Sequence, residues 1–334
     1  AAEAPGPSDD RFTPHLRSTA LAVLWVYLGL SVAAATAYGV AGMSAYDAVA
    51  HAMTTMAAGG FSPEARSFEG FSPAAQWVAI VFMTFAGANF ALQFRAFTGR
   101  PSALLRDPEF RAYLVIALGG GGLLALLLAP TFGTDALRHG LFQSLSILTT
   151  TGYASIDFAN WGPAADAVLL VLMFIGGSAG SAAGGVKVVR WLIVIRNTGR
   201  EVRRTLHPRA VLPVRLGERA VPEDVLRAVA AFLTLYVAVF AGVAAGLALL
   251  GHDFVTAFTA SIATLGNIGP GLAVVGPMAS FAEFGLAAKI LLVFAMYAGR
   301  LEVVTVFVVF TRDWWKVPRT WRSPLRPPQR SRRT

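Results

Sequence analysis

Three stretches of this chain place glycine just after a short apolar segment has run out: HAMTTMAAGGFS at 51–62, QSLSILTTTGYAS at 143–155 and ASIATLGNIGPGL at 260–272. None of them gathers side chains suited to acid–base or nucleophilic work. What they share is a capacity to expose backbone carbonyls, because glycine takes unusual backbone angles at little cost. Carbonyl oxygens turned successively to one side can replace the hydration shell of a cation, as rings of them do in selectivity filters. The candidate ligating positions are Ala58, Gly59 and Gly60 in the first stretch, Thr150, Thr151, Gly152 and Tyr153 in the second, and Asn267, Ile268 and Gly269 in the third.

The rest of the chain says where such turns lie. Of 334 residues, 55% are hydrophobic and 14% charged, against about 25% charged in a soluble domain. Apolar runs at 20–40, 74–94, 113–129, 164–195, 225–250 and 284–310 reach the roughly 20 residues needed to cross a ~30 Å hydrocarbon core. They predict an all-α, polytopic membrane protein. The segments leading into the three glycine breaks are about three turns long and cannot cross. Helices that short sit at membrane depth only where they are buried in protein or line a water-filled cavity. Asp47, Asp135 and Asp253 stand near their starts, where a carboxylate suits a helix N-terminus as a cap and by its charge. The opposite, partly negative ends would then point inward and favour a cation over an anion.

One Thr-Thr-Gly is weak evidence, since both residue types are common where membrane helices pack. Three breaks in equivalent places are a repeat: span, short re-entrant helix, glycine break, span. That repeat divides the chain into a linker at 1–17, a first visible unit at 18–100, a second at 101–200, a loop at 201–222, a third unit at 223–311 and a basic tail at 312–334. The net charge of +9 is concentrated at Arg95, Arg100, Arg106 and Arg111, at seven arginines between Arg196 and Arg219, and in the tail. Such alternation with spans follows the positive-inside rule and puts these segments in the cytoplasm of a cell inner (plasma) membrane protein. It is not the pattern of a nucleic-acid surface. Cysteine is absent, which excludes disulfides, thiolate metal sites and cysteine nucleophiles. His51, His139, His207 and His252 lack metal-ligand spacing, and no Ser-His-Asp set or carboxylate pair suggests an enzyme.

Two further features carry possible chemistry. FIGGSAGSAAGGVKVVR at 174–190 resembles a phosphate cradle only superficially, because Val186 separates Gly185 from Lys187 where a P-loop requires Gly-Lys-Ser/Thr. Its small residues suit either close helix packing or a helix that unwinds in mid-membrane. Arg300 lies inside an apolar run, where a charge is costly unless it meets water or a partner; a salt bridge to a neighbouring helix is the plain reading. Asp157 suits either an outer mouth that attracts cations or an ordinary loop.

TTTGYASIDFANWGP, MFIGGSAGSAAGGVKVVR, NIGPGL and AMYAGRLEVVTVFVVFTRDWW together resemble the TrkH/KtrB/HKT superfamily, and within it the bacterial TrkH branch, over nearly the whole chain. The resemblance implies a potassium-conducting transmembrane subunit that forms homodimers and binds a cytoplasmic ring of TrkA-type nucleotide-binding regulatory subunits. It implies no cofactor on this chain beyond transported K+. It makes the intramembrane loop a gate, with Gly176, Gly177, Gly180, Gly184 and Gly185 giving mobility and Lys187 at its cytoplasmic edge, and it turns Arg300 into the pore beneath the filter. Family members have four units around one pore, and three are visible here, so the first is expected to be missing or supplied by another polypeptide. Ala58 stands where the second filter usually carries Thr. A non-conducting fragment or assembly partner and a Na+-permeable relative are the alternatives; glycine in all three visible filters leans towards K+.

Overall fold

The computed structural model describes residues 16–210, 212–311, 314 and 315, so most of the linker at 1–17 and of the tail at 312–334 lies outside the described residues. The described chain is mostly helical, with one two-stranded hairpin, β1 (Arg215–Leu216) paired to β2 (Arg219–Ala220). Three helical units follow one plan. The first has α1 (Leu16–Val40), α2 (Ala45–Met56) and α3 (Pro73–Ala86), continued by α4 (Phe90–Phe97) and a short α5 (Ser102–Arg106). The second has α6 (Pro108–Phe132), α7 (Ala136–Leu148) and α8 (Pro163–Met173), continued by α9 (Val188–Leu206). The third has α10 (Glu223–Leu249), α11 (Phe254–Leu265) and α12 (Leu286–Arg300), continued by α13 (Val303–Val309).

Local chemistry starts these helices where they start. The Ser44 hydroxyl accepts the Asp47 N–H and donates to the Asp47 carboxylate, so Ser44 is the cap and Asp47 its reciprocal partner inside the helix. Asp253 caps α11 directly by accepting the Thr256 N–H at 3.0 Å. Asp135 caps nothing with its side chain; it pairs at 2.9 Å with Arg138 one turn on. Asp107 caps α6, and Pro108 occupies the first helical position, where a missing N–H costs nothing. The short helices α2, α7 and α11 have 12, 13 and 12 residues, about 18–20 Å at 1.5 Å per residue, too short to cross. Each packs between the two spans of its own unit.

The first span of each unit is one long helix of 25, 25 or 27 residues. The second span is broken every time. Runs 74–94 and 284–310 read as single spans in sequence, yet α3 and α4 meet at a 101° bend and α12 and α13 at 110°. Run 164–195 is α8 and α9 separated by a non-helical segment at 174–187. Glycine and a capping residue cause the first break: α3 ends at Gly87, and the Asn89 side chain accepts the Leu92 N–H at 3.0 Å to begin α4. Large apolar side chains such as Trp25, Val115, Leu126 and Ile290 face outward. With the long apolar helices they make this an integral membrane protein.

The tightest helix pair is α6 with α7. A Cβ on Gly140 would fall 2.6 Å from the Gly121 carbonyl oxygen and 2.7 Å from the Ala125 nitrogen, both backbone atoms that cannot turn aside. Gly140→Ala is therefore expected to destabilise the protein by about 1–3 kcal/mol, the usual range for overpacking. Gly119→Ala, with nothing within 4 Å of the added methyl, should be neutral or stabilising. Thermal unfolding in detergent distinguishes them, and equal midpoints would refute close packing as the reason for Gly140.

Candidate cation site

The three short helices end in the same backbone turn. Gly59, Thr151 and Ile268 donate their N–H to Thr54, Ser146 and Ala263 carbonyls at 2.8, 2.9 and 2.8 Å. Inside these bonds Ala58, Thr150 and Asn267 donate to Thr55, Ile147 and Thr264, each at 3.1 Å. This nested pair is a Schellman turn, which satisfies the last carbonyls of a helix and requires one left-handed residue, usually glycine. Here the left-handed residues are Ala58, Thr150 and Asn267, with φ of 50°, 55° and 56°. For a β-branched threonine that conformation is a true outlier, and such strain persists only where the surroundings hold it. The glycines follow two residues later: Gly60, Gly152 and Gly269 have φ of 65°, 84° and 108°. Sequence reasoning gave all the unusual backbone to glycine and missed half of it.

The turns meet edge to edge. A Cβ on Gly60 would fall 1.7 Å from the Thr151 carbonyl oxygen, and one on Gly152 would fall 2.0 Å from the Ile268 carbonyl oxygen. Glycine at each place is what lets the next unit's backbone come so close. At Gly269, apart from its chain neighbours, no atom of the described residues lies within 4 Å of the same position. The limbs leaving the turns are braced by side chains of the short helices. The Thr54 hydroxyl donates to the Phe61 carbonyl at 2.8 Å, and Ser146, at the matching place, donates to the Tyr153 carbonyl at 2.6 Å. Gln143 donates to that same carbonyl at 3.2 Å. The Tyr153 carbonyl oxygen is thus engaged by its own unit. The ring instead crosses to the first unit, hydrogen-bonding Thr54 and packing 4.7 Å from Phe68. His51 and His139, without a role in the sequence reading, bond Ser62 and Ser155 on the outgoing limbs at 3.0 and 2.9 Å.

The glycine-rich segment lies against these turns. Gly184 donates its N–H to the Thr150 hydroxyl at 2.7 Å, and a Cβ there would fall 2.7 Å from the Gly266 carbonyl. Its base is clasped by Lys187 N–H to Ile175 and Val188 N–H to Gly177, both at 2.9 Å. Gly176, Gly180 and Gly185 have φ of 82°, 70° and 76°, while Gly177 packs so that a Cβ would meet Ala183 at 2.4 Å. Plain helix–helix packing does not account for this density of glycine; a compact non-helical loop does. Gly87 carbonyl accepts Ser178 N–H at 2.9 Å, Ala86 carbonyl accepts Ala182 N–H at 3.1 Å, and Phe90 N–H reaches Gly180 carbonyl at 3.1 Å. The loop is docked on the broken second span of the first unit.

The charged residues sort differently from the plain expectation. Arg300 is exposed, and its contact is the Ala182 carbonyl of the loop at 3.5 Å. Glu302 pairs instead with Arg190, at 2.6 Å across 112 residues of sequence, with the Arg190 guanidinium 3.9 Å from the Phe232 ring centre. Asp157 serves a turn, accepting the Ala159 N–H at 3.0 Å and the Asn160 amide at 3.1 Å. Among the described residues no three His, Asp or Glu side chains converge on one point. The oxygens gathered where the units meet are backbone carbonyls and the Thr150 hydroxyl. Breaking the Arg190–Glu302 pair strands a buried cation, so Glu302→Leu should cost about 3–5 kcal/mol. Adding Arg190→Leu should recover most of that loss in detergent melts; no recovery would mean the pair is not the source of the stability.

A sequence profile of the TrkH family, described as cation transport protein, matches residues 6–314. The Trk system potassium uptake protein TrkH of Vibrio parahaemolyticus is 39% identical over 324 residues, covering 94% of this chain and 66% of the relative. The Trk system potassium uptake protein TrkG of Escherichia coli is 32% identical over 326 residues, with the same two coverages. The crystal structure of the potassium transporter TrkH from Vibrio parahaemolyticus superposes with a TM-score of 0.84 at 39% identity, over 91% of this chain and 66% of that one. The chain thus spans about two thirds of the length of these relatives. The chain belongs to the TrkH family of cation transport proteins.

Proposed function

We propose that this chain is the ion-conducting transmembrane part of a Trk-type potassium-uptake system, with K+ held by backbone carbonyls at the three capped turns. One observation carries the reading: three equivalent turns, each with two left-handed residues flanking one ordinary one, meet backbone to backbone. That alternation lets carbonyls of Ala58–Gly60, Thr150–Gly152 and Asn267–Gly269 face one axis, and the negative ends of α2, α7 and α11 add to the attraction for a cation. The loop at 174–187 is the gate, held under the filter by Gly184 and Thr150. Arg300, exposed and touching that loop, is a fixed positive charge on the path. Discrimination of K+ from Na+ rests on the carbonyl spacing that Gly60, Gly152 and Gly269 allow.

The ring has an open side between Gly269 and Gly59. There α2 exposes Tyr46, Val49 and Met53 at 72%, 52% and 60%, while α7, in the middle of the row, is buried on nearly every side. A fourth span–helix–span unit, covalently joined or from another polypeptide, closes the ring. The open side also supports the second reading, that these 334 residues alone do not conduct. By resemblance the working assembly is a homodimer in the cell inner membrane with a TrkA-type nucleotide-binding partner, and the basic segments 95–111 and 196–222 and the tail are cytoplasmic.

Uptake in a potassium-transport-deficient host tests the filter. With the fourth unit present, Gly152→Ser and Gly269→Ser should each abolish uptake or K+/Na+ discrimination. If both variants select K+ as the parent does, the glycines are packing residues and the carbonyl reading fails. If Gly269→Ser alone is silent, no unit closes the ring beside it. Orientation is tested with single cysteines in this cysteine-free chain: one at Glu69 should react with an impermeant thiol reagent applied outside, and one at Arg203 should not. The reverse pattern would invert the topology.

A further inference from the structure

Asp107 caps α6 by accepting the Phe110 N–H at 2.8 Å, which leaves Glu109, in the same first turn, free of that duty. Glu109 is 9% exposed, and a carboxylate taken out of water is costly unless donors surround it. Its donor comes from the second unit's loop. The Ala179 N–H, at the middle of the loop, reaches Glu109 Oε1 at 2.7 Å. The loop's bonds to the first unit are made by backbone groups at the 86–90 break. Glu109 differs in kind, because one buried side-chain carboxyl grips the loop's midpoint.

We propose that Glu109 is a positioning residue for the 174–187 loop, a carboxyl lent by α6 that tethers Ala179 so that the loop stays seated against the Thr150 turn. This rests on the reading of that loop as the gate. Without the carboxyl the Ala179 amide loses its acceptor, so the loop is released at its centre. Shortening the side chain should weaken the grip and replacing the carboxyl with a neutral amide should undo it, because a carboxylate is the stronger acceptor.

The test uses the full-length protein in lipid vesicles, with Ser181→Cys as a thiol reporter on the loop and 86Rb+ uptake as the flux measurement. Glu109→Gln should raise the modification rate of Ser181→Cys by about tenfold, the worth of one charged hydrogen bond, with Glu109→Asp intermediate and flux changing in step with the modification rate. Should Glu109→Gln fail to fold, Glu109→Asp, which keeps the charge, decides the matter by the same two measurements. A modification rate equal to the parent's in the folded variants overturns the tether, whatever the flux does. A raised rate with unchanged flux upholds the tether and overturns the gate.

Discussion

A backbone amide or carbonyl inside the membrane has no water to bond, so any departure from helix there must find its partners within the protein. Every irregular feature of this chain follows from that demand. The ends of α2, α7 and α11 satisfy themselves by folding back into nested turns. The break between α3 and α4 cannot do so alone. Its carbonyls at Phe85 and Ala88 are taken by the Gln93 amide at 2.7 and 3.0 Å, the first shared with the Ala88 N–H at 3.1 Å, and those at Ala86 and Gly87 by the loop of the second unit. The loop returns the service, since Gly180 accepts the orphaned Phe90 N–H. Break and loop are thus two halves of one hydrogen-bonding solution, and neither can be rearranged without stranding groups in the other.

The same demand explains what was legible in the sequence. Signals that act within a few residues were readable: the apolar runs, the three short helices, and the glycines at 60, 152 and 269. Asp253 was readable as a cap, whereas Asp47 proved to be the partner of Ser44, and Asp135 an ion-pair member. The bends at 87–89 and 301–302 were hidden, because apolar composition is identical in a straight span and a broken one. Asn89 was a local clue, a capping residue in the middle of an otherwise apolar run. What remained invisible was settled by distant partners. Left-handed Thr150 is tolerable because Gly184 and the Schellman bonds hold it. Glu302 misses nearby Arg300 and finds Arg190, and Glu109 looks like any first-turn acid until the loop arrives above it.

The strained residues also separate two tasks that sequence alone merges. Ala58, Thr150 and Asn267 end helices, whereas the glycines two positions later admit a neighbouring backbone. Thr150 does a third thing with its side chain, accepting the Gly184 amide, so one residue joins the helix terminus to the loop. Tyr153 plays a corresponding part sideways, tying the second turn to the first through Thr54 and the ring cluster of His51, Phe68 and Phe142. The first and second turns are therefore coupled by aromatic packing, and the second is joined to the loop by the Thr150 hydroxyl.

The packing of each short helix between its own two spans has a consequence for biogenesis. Contacts within a unit join residues close in sequence, so a unit can condense soon after its second span leaves the ribosome, before the next unit is translated. The bonds that join units come later by necessity: the second-unit loop can dock only on a finished 86–90 break, and Arg190 must wait for Glu302, 112 residues on. Until the third unit is inserted, Arg190 lacks its Glu302 counter-ion. The third unit thus neutralises a charge laid down long before it in the chain.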